Sequence, residues 1–336
     1  MSVTPLADAQ GYDSLPPSHT QQRSRAGERP GLRRRRSPVP EPRTLMTGLV
    51  CGESPRWHDD RLWFIDMGVP EVLAVDLEGK SEVIARAPSG LSAVDFLPDG
   101  RLVVGGLSAI DFLPDGRLLI LRRRGGPLLR REPDGSLVPH ADLTGLPDQP
   151  WNDMVVDGRG NAYIGNLGFG FPSDESRPGF IALVTPDGAA RQVADGIAFA
   201  NGMVVTPDNA VLIVAETSGR RLTAFDIAPD GGLTNRRVWA DLAGGRPDGI
   251  CLDAERAIWY GNPRGGCVRV REGGEVVQTI DVGPGCFACM LGGADRRTLF
   301  LMVSEKLDLA RWGTSDAPRT GRVLTVDAPA PGAGWP

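Results

Sequence analysis

The sequence predicts an all-β protein: a six-bladed β-propeller with a divalent-metal site on its central axis. Three observations carry the fold. A polar turn followed by an apolar strand recurs six times, about 40–50 residues apart. A second hairpin follows each recurrence. No segment of 12 or more residues shows the 3.6-residue apolar period of an amphipathic helix.

The turn-and-strand unit reads HDDRLWFID (58–66), PDGRLLIL (114–121), DGRGNAYIGN (157–166), PDNAVLIVAE (207–216), DAERAIWYGN (253–262) and ADRRTLFLMV (294–303). The hairpins that follow read VLAVDLEGKSEVIA (72–85), LLRREPDGSLVPHA (128–141), FIALVTPDGAARQVA (180–194), RLTAFDIAPDGGLTNRRVWA (221–240), VRVREGGEVVQTIDV (268–282) and the shorter RVLTVDAP (322–329). Each unit therefore holds about four strands, and four strands at this period make a propeller blade. Radial closure removes the free edges that a flat array would expose. A β-sandwich leaves the sixfold repeat unexplained.

One place breaks the period. GLSAVDFLPDGRLVVG (90–105) is followed at once by GLSAIDFLPDGRLLIL (106–121), identical at twelve of sixteen positions. Sixteen residues cannot supply four strands, so this is one surplus strand-and-turn unit and not a seventh blade. The second copy leads straight into the next hairpin and is expected to hold the inner strand of blade 2. The first is expected to bulge out at the mouth face or to add an edge strand.

The propeller is expected over 44–330, with 331–336 as a flexible end. Residues 1–43 are rich in Pro, Ser, Gln and Arg, lack apolar periodicity and read as a disordered extension. Residues 1–45 hold eight Arg against four acids, a net of +4, so the total of −5 leaves about −9 on the body. An acidic body argues against nucleic-acid binding, which needs a basic face. No apolar stretch has signal-peptide or membrane-span length. A cytoplasmic monomer or weak homo-oligomer, without nucleic-acid or membrane partners, is the expectation. The five cysteines lack the pairing of a zinc site and read as buried free thiols.

The segments leading into the inner strands read GESPRW (52–57), PWNDMVVD (150–157), FANGMVVTPD (199–208) and RPDGICLD (246–253). Their polar residues Glu53, Asn152, Asn201 and Asp248 come from blades 1, 3, 4 and 5 at nearly equal phase. Four oxygen donors meeting on one axis suit a hard divalent cation, and two carboxylates balance its charge. The only histidines, His19, His58 and His140, lie off that phase, which argues against a His-based zinc site or a Ser-His-Asp triad. Taken singly, Asn201-Gly202 and Asp248-Gly249 are ordinary turn pairs.

From about residue 44 to 305 these motifs resemble the SMP-30/gluconolactonase/LRE family. The resemblance implies a six-bladed propeller holding one cation, Ca²⁺ first with Zn²⁺, Mn²⁺ or Mg²⁺ as alternatives, and hydrolysis of sugar lactones. It places the metal ligands on Glu53, Asn152, Asn201 and Asp248 and makes Asp248 the general base. Animal members carry an Arg two residues before the first ligand Asn, where this chain has Pro150. After the inner pair of blade 3 it has Asn166-Leu167-Gly168-Phe169 in place of a small residue and acids. A more apolar pocket follows, open to aryl or alkyl lactones, with Asn152 and Asn166 orienting substrate. Trp151 and Phe169 stand either as pocket walls or as packing residues. An aryl-ester or phosphotriester hydrolase and a non-catalytic binding platform are the alternative functions.

Overall fold

The computed structural model describes residues 41–69, 71–86, 94–96, 102–104, 106–171, 174–305 and 316–336, so most of the expected N-terminal extension lies outside the described residues. Among them there is no helix, hence none long and apolar enough to cross a membrane. Six antiparallel sheets form six blades. The first strands of successive blades neighbour one another in a closed ring. These inner strands are Gly52–His58, Leu107–Phe112, Trp151–Val156, Ala200–Val205, Ile250–Asp253 and Gly285–Gly292.

The recurring turn is the link from inner to second strand, and one interaction explains its repetition. The turn aspartates Asp115, Asp157, Asp208, Asp253 and Asp295 each accept a backbone N–H two residues on. This is the short-range bond that makes Asp a turn former. Second strands such as Val211–Glu216 are buried almost throughout, because neighbouring blades cover both faces. Outer strands such as Ala190–Ile197 are mostly open to solvent. The apolar clusters lie along the inner and middle strands, where each fully buried Leu, Val or Phe is worth about 1.5–3 kcal/mol.

Blade 6 closes the ring in a way the repeat did not reveal. Its outer strand is Arg43–Leu49, paired with Gly321–Asp327 from the other end of the chain. The doubled segment resolves cleanly. The second copy supplies Leu107–Phe112 and Leu118–Arg122 of blade 2. In the first, Val94–Phe96 pairs with Leu102–Val104 in a two-stranded sheet of its own, a third outcome beside the two expected. The registers match: Val94↔Val104 corresponds to Ile110↔Ile120, sixteen residues on.

The C-terminal end differs from the flexible tail expected over 331–336. Gly332–Ala333 pairs with the inner strand of blade 5, and Trp335 exchanges two 2.8 Å backbone bonds with Val205 of blade 4. The tail thus lies across the end of the channel where those strands finish. All five cysteines are buried free thiols.

Candidate metal centre

Every inner strand begins at the same end of the channel, and there the ladder is interrupted. Register shifts fall between Glu53 and Arg56, Leu107 and Ala109, Trp151 and Met154, and Ala200 and Met203. By their pairing, Glu53, Ser108, Asn152 and Asn201 occupy one phase. Bulges of this kind re-aim side chains and collect beside functional sites. Glu53, Asn152 and Asn201 therefore start strands and do not sit in loops; Asp248 stands two residues before Ile250–Asp253.

Hydrogen bonds stitch this end blade to blade. Ser54 Oγ donates to Ile110 O, Ser108 Oγ to Trp151 O, Asn152 Nδ2 to Ala200 O, Gly202 N to Asp248 O and Gly249 N to Phe287 O; Ser304 Oγ closes the circle on Val50 O. The glycines of the apparent Asn-Gly and Asp-Gly turns have another purpose. A Cβ on Gly202 would stand 2.5 Å from Ile250 N, and one on Gly249 2.5 Å from the Ala288 Cβ. They let adjacent inner strands approach.

The amides are aimed. Asn152 Nδ2 is spent on Ala200 O at 3.0 Å, and Asn201 Nδ2 on Thr217 Oγ1 at 3.1 Å, which is itself anchored on Pro247 O. Asn201 Oδ1 is left without a protein donor among the described residues, while Asn152 Oδ1 accepts a 3.3 Å bond from Arg123 Nη1. Between them lie two carboxylates whose charges repel. Burial and then the charges of Asp248 and Asp153 push Glu53 well above the usual carboxylate range. Burial lifts Asp248 to about 8, against a hydrogen bond from Asn201. Beneath them Arg56 spans Asp111 at 3.3 Å and Asp153 at 3.4 Å, one cation shared by two acids that burial pushes above the usual carboxylate range.

Among the described residues no three His, Cys, Asp or Glu side chains stand together as a metal-binding group. A cation here would rest on two carboxylates and two amide oxygens. That set fits a hard divalent ion: the donors are all oxygen, and two buried like charges lack a counter-charge that such an ion supplies.

The substrate residues expected from sequence divide. Trp151 is 4 % exposed and packs edge-on against Phe180 in the core between blades 2 and 3. Asn166 is fully buried; its Nδ2 donates to Gln149 O and its Oδ1 accepts from Gly168 N. Both therefore shape the loops, and neither amide end of Asn166 is idle. Phe169 forms an aromatic triad with Phe171 and Phe199, centroids 5.6–6.3 Å apart. Phe199 holds a left-handed φ of 65°, a strained state for an aromatic residue.

Sequence reasoning missed Arg123. It follows the second strand of blade 2 and is 3 % exposed, with Nη1 3.3 Å from Asn152 Oδ1. Its N–H bonds Gly106 O just as Leu167 N bonds Pro150 O and Thr217 N bonds Phe199 O. That shared phase was the available signal; in Arg122–Arg124 it reads as a polar loop.

Comparison with known proteins shows the family and the fold. The profile of the SMP-30/Gluconolactonase/LRE-like region matches residues 51–305. Regucalcin of Danio rerio is 27 % identical over 172 residues, 49 % of this chain and 58 % of that protein. Diisopropyl-fluorophosphatase of Loligo vulgaris is 31 % identical over 150 residues, 40 % of this chain and 48 % of that protein. The chain thus spans about half the length of these two relatives. Among solved structures, the calcium-binding protein regucalcin of Agrobacterium tumefaciens superposes with a TM-score of 0.68 at 22 % identity, over 88 % of this chain and 95 % of that one. A gluconolactonase of Xanthomonas campestris gives 0.65 at 22 % identity, over 84 % and 88 %.

Proposed function

We propose, from the premise that the chain belongs to the SMP-30/gluconolactonase/LRE-like family, that it is a metal-dependent hydrolase that opens lactones. The observation that carries this reading is the pair of buried, mutually repelling carboxylates Glu53 and Asp248, framed by two amides whose Nδ2 groups are held by Ala200 O and Thr217 Oγ1.

Glu53, Asp248, Asn152 and Asn201 would hold the cation, Ca²⁺ first by the chemistry of the donors. When bound, the ion supplies Lewis-acid polarisation of the ester carbonyl. Asp248 accepts the proton of the attacking water at a carboxylate oxygen, a general-base contribution of about 10²–10⁴-fold. The hydrogen bond from Asn201 and the approach of Gly202 hold that carboxylate in place. Phe169, Phe171 and Phe199 form an apolar wall, favouring aryl or alkyl lactones over hydroxyl-rich ones.

A panel of aldonolactones, alkyl lactones, dihydrocoumarin and a paraoxon-like triester, run with Ca²⁺, Mn²⁺, Zn²⁺ or chelator, tests this. Lactone opening that chelator abolishes and Ca²⁺ restores is expected. Turnover indifferent to chelation would sink the mechanism. The match to diisopropyl-fluorophosphatase favours a second reading, in which the triester is the best substrate of the same site.

A further inference from the structure

We infer that Arg123 builds an anion subsite beside the proposed cation, so that the preferred substrate is a lactone whose apolar body carries a carboxylate. The inference rests on the lactonase reading above.

Burying an arginine is costly unless its charge is met. This protein meets it elsewhere. Buried Arg56 spans Asp111 and Asp153. Buried Arg269 holds Asp253 at 2.7 Å and Glu255 at 2.8 Å. Arg123 is buried as deeply, yet among the described residues its guanidinium makes one hydrogen bond, the 3.3 Å contact to a neutral amide oxygen. Its buried Nε has no partner. Glu53 is the acid near enough to feel Arg123, and a cation on the axis would claim it together with Asp248. Two carboxylates then balance the cation, and Arg123 keeps no acidic side chain in salt-bridge contact among the described residues. A carboxylate on the ligand supplies the partner that the guanidinium lacks.

The surroundings say what else that ligand carries. The guanidinium carbon lies 5.8 Å from the centre of the Phe171 ring, which belongs to the Phe169–Phe171–Phe199 triad. A carboxylate on Arg123 therefore sits next to an apolar wall. The arginine is pre-positioned for it. Its N–H bonds Gly106 O and its C=O accepts Trp151 N, both at 2.9 Å, fixing the backbone at the seam of blades 2 and 3. Planar guanidinium groups bind carboxylates with paired, charge-assisted bonds, which a hydroxyl-rich neutral sugar does not offer.

The test compares wild type, Arg123→Gln and Arg123→Lys in the presence of Ca²⁺. Calorimetry measures phenylacetate, with phenylacetamide as the neutral control; kinetics measure γ-phenylparaconic acid and its methyl ester. Wild type should bind phenylacetate about tenfold or more tightly than the amide and prefer the acid lactone by a similar factor in kcat/KM. Arg123→Gln should erase both preferences, raising KM for the acid lactone more than for the methyl ester, and Arg123→Lys should keep part of each. Equal phenylacetate binding in wild type and Arg123→Gln, or a wild type blind to the carboxylate, overturns the subsite. So does a variant whose kcat falls alike on both lactones. Should Arg123→Gln fail to fold, the wild-type binding ratio and Arg123→Lys decide. A wild type that opens neither lactone defeats the lactonase reading, while phenylacetate binding still judges the subsite.

Discussion

Asp248 and Asp253 stand five residues apart, at opposite ends of the inner strand of blade 5, and the protein treats their charges in opposite ways. Asp253 is neutralised. Arg269 lies 2.7 Å away, and the N–H groups of Glu255 and Ala257 bond its Oδ1. Asp248 is buried beside Glu53 with no cationic side chain in salt-bridge contact among the described residues, and burial lifts it to about 8. The same contrast holds at the level of the channel. The far end is knit together by the C-terminal tail; the mouth keeps repelling acids, a strained Phe199 and an arginine short of partners. Backbone pairing closes one end and unsatisfied groups collect at the other, the pattern expected where a site needs such groups.

The sharpest way to break this comparison is to make the same substitution class at both ends. Asp248→Asn should cut lactone turnover by about 10³-fold or more, since it removes the proposed cation ligand and the proposed base together. In the absence of cation it should also raise the melting temperature, because it relieves the repulsion with Glu53. Initial rates and thermal melts check both, and a metal-free variant less stable than wild type would contradict the assignment. Asp253→Ala should do the reverse. It leaves the buried Arg269 with Glu255 as its one acidic partner among the described residues, at a cost of about 2–4 kcal/mol, and calorimetric cation affinity of the folded protein should stay unchanged.

Smaller effects sharpen the contrast. Asp248 is raised above its unfolded carboxylate value. Its contribution to stability is thus complete below the unfolded pKa near ~4 and is lost as pH climbs through about 8. Metal-free protein should therefore melt progressively lower between about pH 4 and 8 and level off above that, and saturating Ca²⁺ should remove most of that loss. Melts across that range with and without the ion measure it. At the closed end, Trp335→Ala should cost about 1–2 kcal/mol in denaturant titration while leaving turnover alone, since the indole packs over Gly158. Smallest of all, deleting 90–105 should shift stability by less than about 1 kcal/mol and leave cation binding intact. Loss of folding in that deletion would mean the first copy is part of the blade.

Much of the site was legible because its signal is local. Glu53, Asn152 and Asn201 share a phase set by strand and turn lengths, and a repeating chain prints that phase in its sequence. Trp151 was ambiguous, since only the tertiary contacts decide whether it faces Phe180 or the mouth. Asn166 invited a substrate role that its two backbone partners take up. Arg123 was hidden among three arginines, and the fold alone tells which one reaches Asn152.

By itself, then, the sequence determined most of the strands, their turns, the number of blades and the shared phase of Glu53, Asn152 and Asn201. Alternation, Asp-based turns and a 40–50-residue period act over a few residues at a time and need no partner to be read. Tertiary structure decided what depends on distant pairing. Arg43–Leu49 completes blade 6 from the far end of the chain, and the tail at 332–335 settles on strands of blades 4 and 5. The second of two near-identical copies fills blade 2, although both form the same register. Local sequence could not choose there, because the choice lies in how the ring closes.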